Sequence, residues 1–210
     1  MDDQKRVTKY YNRFSKVYNL ISSKIYYHIP RDYSVRQLRL SKDDIVLNVP
    51  CGTGVNFDYF ESYLKGSGRI FAVDLSEGML AKAEKMVLKK GYTNIEVIKE
   101  NVLSLNCDWM NSLLNDSKFD AILCDLGLSG FPNWKAVIQN FYSMLKVGGR
   151  LVIMDFYIEK NTFRSKYLRF FGKGKTNRKI SKFVSDNFVN VSTNHSFKNG
   201  DMFVTTIIRD

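Results

Sequence analysis

Cysteine, histidine and proline are scarce in this 210-residue chain, at three, two and three residues respectively. The cysteines, Cys51, Cys107 and Cys124, are odd in number and form no C-x-x-C pair, which predicts reduced thiols rather than a disulfide framework. Only His28 and His195 could join them, so a zinc site has little to be built from and no metal is expected. No uninterrupted apolar run approaches the roughly 18 residues of a membrane span. The opening MDDQKR lacks the basic-then-apolar layout of a secretory leader. The expectation is a cytoplasmic, non-spanning protein. Neither an internal repeat nor a Gly/Ser/Pro linker divides the chain, and its length suits one domain around one core.

What is present is apolar and basic. A hydrophobic content of 44% with 14% aromatic residues predicts a folded protein. The net charge of +11 is unevenly spread. Residues 1–40 carry nine Lys/Arg against three acids, residues 41–155 twelve against fourteen, and residues 156–210 eleven against four. The excess therefore lies entirely on the two flanks. It either directs a positive field toward a substrate or its carrier, or is an ordinary solubilising surface.

The most specific signal lies between the flanks. Residues 45–54 read IVLNVPCGTG: Ile45, Val46, Leu47 and Val49 have the density of a strand buried on both faces, and the run then breaks into a glycine turn. Gly52 and Gly54 let the backbone turn sharply and approach a ligand closely. Apolar positions in 55–64 recur at near-helical spacing, so the turn opens onto a helix. About twenty residues past the second glycine, the run RIFAVD ends in Asp74, a carboxylate placed to accept both hydroxyls of a ribose. A dinucleotide fold would also use such a turn. Here, however, the third glycine of G-x-G-x-x-G is replaced by Phe57, which would obstruct close helix approach beside a pyrophosphate.

Six segments in register carry a family resemblance: YNRFSKVYN (11–19), VLNVPCGTG (46–54), FAVDLSEGML (71–80), IEVIKENVLSL (95–105), FDAILCDLGLSGFPNW (119–134) and LKVGGRLVIMDF (145–156). The chain resembles a class I S-adenosylmethionine (SAM) dependent methyltransferase of the ubiquinone/menaquinone-methyltransferase-like group. That resemblance implies SAM as cofactor and S-adenosylhomocysteine as product. It places Asn48, Pro50, Cys51, Gly52 and Gly54 at the methionine side, Asp74 on the ribose, and Leu75, Met79, Asn101 and Val102 around the adenine. Tyr18 would close over the methionine end from a helical N-terminal lid (1–40), ahead of a cofactor core (41–155) and a basic aromatic insert with a C-terminal hairpin (156–210). The chain departs from the family pattern at Asn48 and Asn101, where acids are usual, and at Pro50, where glycine is usual. Asn48 can accept a hydrogen bond from a cofactor amine but brings no charge to it.

The coarse order along the chain agrees. An aromatic, apolar stripe of Tyr10, Phe14, Val17, Tyr18, Ile21 and Ile25 predicts a helical N-terminal region. Strands are expected at 45–49, 69–73, 95–99, 119–124 and 150–155, alternating with helices at 55–64, 77–90, near 108–115 and 133–146. Such alternation implies a parallel sheet covered on both faces. Residues 189–196 and 202–208 flank Asn199-Gly200 and read as a hairpin. An α/β, Rossmann-like, seven-stranded sheet, mostly parallel with an antiparallel C-terminal hairpin, is thus expected. The hairpin sets it apart from the dinucleotide fold. Residues 160–183 mix rings such as Phe163, Tyr167, Phe170 and Phe171 with Arg and Lys. They suit an anionic membrane surface, a nucleic-acid backbone, or plain packing on the sheet edge.

Methyl transfer from a sulfonium needs alignment and water exclusion more than a catalytic apparatus, which fits the absence of any triad or metal cluster in the sequence. Asp125 and Asp155 would lie at the carboxyl ends of their strands. Either could deprotonate an acceptor or hold an amine cation, or else cap a turn or pair with a lysine. Asp125 is the candidate acceptor-side residue. His28 and His195 are further candidate bases, or ordinary surface residues. The Asn-Pro-Pro-Tyr signature of base amino-methyltransferases is replaced by Asp125-Leu-Gly-Leu-Ser129, which disfavours nucleic acid. The expectation is methylation of a small-molecule or lipid-like acceptor, with possible contact to an anionic membrane. An RNA methyltransferase and a catalytically silent SAM-binding protein are the alternatives.

Overall fold

The computed structural model describes residues 24–158 and 175–210. Helix α1 (Lys24–Leu38) precedes β1 (Ile45–Asn48), α2 (Phe57–Leu64), β2 (Arg69–Asp74), α3 (Glu77–Lys90) and β3 (Ile95–Lys99). A short 3-10 turn (Val102–Ser104), α4 (Cys107–Leu114), β4 (Phe119–Asp125), α5 (Trp134–Ser143) and β5 (Leu145–Phe156) follow. After the undescribed stretch come α6 (Ile180–Asn187), β6 (Val191–Phe197) and β7 (Met202–Ile208). The strands form one sheet in the order β3-β2-β1-β4-β5-β7-β6. The first five run parallel, and β7 is antiparallel to both β5 and β6. This is the architecture the alternation and the hairpin predict.

Period-two alternation along buried strands divides the core into two layers. Leu47, Phe71, Ile122 and Ile153 face one layer, closed by Met110 of α4, Phe141 of α5 and Val184 of α6. Val46, Ala72, Leu123 and Val152 face the other, closed by Val35 of α1, Phe60 of α2 and Ala83 of α3. Local signals set several boundaries. The Ser76 hydroxyl accepts from the Met79 N–H at 3.3 Å to start α3, and Gly91, at φ 68°, ends it.

Elsewhere the boundaries move for identifiable reasons. The expected helix over 133–146 stops at Ser143, because β5 begins at Leu145 rather than 150. Gly148 donates its N–H to the Arg209 carbonyl at 2.8 Å and Arg209 donates to the Gly149 carbonyl at 2.9 Å, so the C-terminal strand carries the pairing past a bulge. The α2 helix starts at Phe57, since residues before it form tight turns in which the Gly54 N–H meets the Cys51 carbonyl and the Phe57 N–H meets the Gly54 carbonyl. The N-terminal stripe from Tyr10 to Ile21 and residues 160–174 of the basic segment lie outside the described residues.

Candidate active site

The site lies at the carboxyl ends of β1, β2 and β4, where an open parallel sheet leaves a crevice. Past β1 the chain is still held on both sides. The Val49 N–H reaches the Leu123 carbonyl of β4 at 3.0 Å and the Cys51 N–H reaches the Val73 carbonyl of β2 at 2.8 Å. Gly52 and Gly54 then take φ of +55° and +81°, in the left-handed region that favours glycine. They differ in what surrounds them. A Cβ on Gly54 would fall 2.6 Å from the ring of fully buried Phe57, whereas a Cβ on Gly52 would meet nothing within 4 Å. Gly52 therefore leaves its backbone open to a ligand, and Phe57 packs beneath the turn as a wedge.

Asp74 ties β2 to this turn. Its Oδ2 accepts from the Gly52 N–H and its Oδ1 from the Ser76 N–H, each at 2.9 Å. Burial pushes its carboxyl above the usual range, against the lowering effect of the Ser76, Gly52 and Leu75 amides. Two lone pairs per oxygen leave acceptor capacity beyond these bonds. Beside it, Leu75 is half-buried and Met79 and Val102 are buried. Asn101 sits at the start of the 3-10 turn, where its Oδ1 accepts from the Leu103 N–H at 3.0 Å. Burial, and then the nearby Asp74 charge, push the Cys51 thiol well above its ordinary value, so it stays protonated.

Asp125, the candidate acceptor-side residue, is buried and its Oδ2 is occupied. Arg31 of α1 donates through Nε at 2.8 Å and Asn56 at the start of α2 donates through Nδ2 at 3.1 Å. Neither partner was singled out from the sequence, although Arg31 interrupts the stripe of Tyr27, Val35 and Leu38 at helical spacing. Asp155 lies fully buried and anchors the loop leaving β4. It accepts from the Ser129 N–H at 2.8 Å and the Phe156 N–H at 2.7 Å, and burial raises it to about 6. Arg178 grips the same loop through the Leu128 and Phe131 carbonyls. Leu126 at the head of that loop has φ 57°, a strained conformation for a branched side chain, and its N–H is held by the Met154 carbonyl at 2.8 Å.

Pro50 finds its space at Gly127, where a Cβ would come within 2.5 Å of the proline Cδ. His28 shares a 2.7 Å hydrogen bond with the Tyr59 hydroxyl, joining α1 to α2, and His195 stands against Phe203 in the hairpin, away from the turn in sequence. Tyr18 lies outside the described residues. Among the described residues no three His, Cys, Asp or Glu side chains gather as a metal site, and no helix is long and apolar enough to cross a membrane.

This strand order, with a glycine turn after β1 and an acid closing β2, defines a Rossmann-like methyltransferase fold. The chain belongs to the methyltransferase domain family, whose model matches residues 40–199. A demethylmenaquinone methyltransferase from Listeria monocytogenes serotype 4a is 27% identical over 155 residues, which cover 72% of this chain and 62% of the relative. The chain thus spans about three fifths of the length of that curated relative. Among solved structures, magnesium protoporphyrin IX methyltransferase from Synechocystis PCC 6803 with bound SAM superposes with a TM-score of 0.72. It is 18% identical and the match covers 100% of this chain and 98% of that one. An rRNA methylase from Streptococcus thermophilus superposes with a TM-score of 0.57 at 18% identity, covering 87% of this chain and 95% of that one. At those identities the likeness is one of fold.

Proposed function

We propose that the protein transfers the methyl group of SAM to a small or lipid-like acceptor. The observation that carries this reading is the Asp74 carboxylate. It is tied to the Gly52 and Ser76 amides with lone pairs to spare, beside a glycine whose missing Cβ leaves open space. The residues present fit the cofactor. Asp74 would accept from the ribose hydroxyls, Leu75, Met79 and Val102 would flank the purine with Asn101 at its edge, and the backbone from Pro50 through Gly54 would lie along the methionine arm. When bound, SAM supplies a methyl carbon on a cationic sulfur, which departs as a neutral thioether when a nucleophile's electron pair bonds to that carbon.

The protein's share of the work is alignment and exclusion of water. The loop after β4, fixed by Asp155 and Arg178, supplies the acceptor side. A relative named for demethylmenaquinone favours a ring-bearing, lipid-like acceptor over RNA. Labelled SAM incubated with the protein and either a demethylated quinol or total RNA tests this. Label should enter the organic phase in the quinol reaction. Label in RNA alone would replace the acceptor class, and transfer to neither would favour a silent SAM-binding protein.

A further inference from the structure

Helix α1 runs antiparallel to β5, which brings its first turns to the carboxyl end of the sheet, where the crevice opens. The Arg150 side chain on β5 donates to the Gln37 carbonyl near the end of α1 at 3.3 Å, and the Tyr27 ring lies 6.2 Å from that of Phe156, the last residue of β5. The hairpin turn reaches the same end, because Phe156 pairs with Met202, the first residue of β7. So does the chain at 175–176. The Ile158 N–H meets the Thr176 carbonyl at 2.7 Å, and the Lys175 N–H meets the Ser129 carbonyl of the loop after β4 at 2.8 Å. One rim of the crevice is therefore built from the start of α1, the hairpin turn and residues 175–179.

This rim is apolar and basic together. Helix α1 buries Tyr27, Arg31, Val35 and Leu38 on one stripe, while Tyr26 and Ile29, three residues apart on the outward side, are 37% and 70% exposed. Single exposed apolar residues are ordinary, but these two stand together among cations. The Lys198 ammonium lies 3.8 Å from the centre of the Tyr26 ring, and Lys175 and Lys179 are exposed. Among the described residues none of these three lysines is ion-paired, whereas Lys90, Lys99 and Lys146 elsewhere are. Asp32 of α1 is neutralised by Arg36 at 2.7 Å, and the hairpin turn holds one acid, Asp201. Residues 1–23 and 159–174, which join the described chain at this rim, contribute ten Lys/Arg against three acids.

Deepening the lipid-like acceptor reading, on which it rests, we propose that this rim docks on the surface of an anionic bilayer. Ile29 and the Tyr26 ring enter the interface, where an aliphatic side chain and a ring with a polar tip are both favoured, while Lys175, Lys179 and Lys198 meet headgroup phosphates. A nucleic-acid backbone could engage the lysines and stack on Tyr26, but it would leave Ile29 in water. Docked in this way, the crevice opens toward the membrane. An acceptor dissolved in lipid then reaches the site without crossing water.

The test is flotation of the full chain with phosphatidylcholine vesicles, with and without phosphatidylglycerol, in the absence of SAM and acceptor. The parent should float with the anionic vesicles only, and less as salt rises. Ile29→Ser should weaken this binding about tenfold and Lys198→Gln about fivefold, with melting temperatures close to that of the parent. Leu88→Ser is the control: Leu88 is 82% exposed near the far end of α3, and its variant should bind like the parent. No flotation of the parent, equal flotation with neutral vesicles, unchanged binding in Ile29→Ser and Lys198→Gln, or equal weakening in all three variants would overturn the proposal. An RNA gel shift without flotation would assign the rim to nucleic acid instead. Label transfer from SAM to a demethylated quinol in detergent checks the acceptor apart from docking. Failure there with flotation retained would remove the lipid-like acceptor and leave the docking surface standing.

Discussion

Asp74→Ala removes a charged group tied to the turn, and its consequences can be worked through. Hydrogen bonds to charged groups are worth about 1.5–3 kcal/mol each, so two ribose contacts would represent about 3–6 kcal/mol. Part of this is offset. Burial already pushes the Asp74 carboxyl up, so the free protein carries a desolvation cost that the variant does not. The Gly52 and Ser76 amides lose their acceptor, yet Gly52 borders open space that water can fill. The lower end, about 3 kcal/mol, is therefore expected, or a weakening of S-adenosylhomocysteine by about a hundredfold. Asp74→Asn keeps the shape and one acceptor and should fall between the two proteins. In the parent, affinity should decline as pH falls toward the raised carboxyl, because only the ionised form accepts freely on both oxygens, and this decline should vanish in Asp74→Asn. Calorimetry across pH, with circular dichroism as a check on folding, measures all of this. A folded Asp74→Ala protein that binds like the parent would refute the ribose assignment.

Asp155 gives a pH-dependent stability term. Its carboxyl is raised from 3.8 to about 6, so between those values the native state keeps a proton the unfolded chain has released. Stability from this group is greatest below that window and is lost as pH rises through it, by about 3 kcal/mol. Urea unfolding of the parent and Asp155→Asn from about pH 4 to pH 7 should show this slope in the parent only; parallel profiles would count against it. Gly127→Ala would drive a Cβ into Pro50 and Phe131 and should cost about 1–3 kcal/mol, with cofactor affinity reduced because Pro50 belongs to the turn. An unchanged melting temperature would show that the loop gives way freely. The two basic flanks predict association with anionic vesicles that weakens as salt rises. Flotation beside neutral vesicles and an RNA gel shift would separate lipid binding, RNA binding and mere solubility.

The parts of this molecule legible in sequence are those fixed by local chemistry. Ser76 and Gly91 bracket α3, alternation and Asn199-Gly200 place the hairpin, and the spacing from Gly54 to Asp74 marks the turn and its acid. What escaped depends on contacts distant in the chain. Arg31 and Asp125 are 94 positions apart, and nothing around Arg31 reveals that its guanidinium points into a polar cluster rather than to solvent. The Pro50–Gly127 contact is likewise tertiary: proline in place of glycine looks disruptive until the missing side chain at Gly127 is seen beside it. Asp155 looked like a possible base at a strand end, and its backbone partner Ser129 became visible only once the loop after β4 folded back over β5. The β5 start at Leu145 escaped for a similar reason, since the pairing of Gly148 and Gly149 with Arg209 is tertiary.

Titration of the full chain with S-adenosylhomocysteine and, separately, with NAD tests the central claim most directly. Saturable binding of S-adenosylhomocysteine with none of NAD is the predicted result, from the Asp74–Gly52 tie and from Phe57 wedged where a pyrophosphate would need close helix approach. Saturable NAD binding without S-adenosylhomocysteine binding would contradict the account.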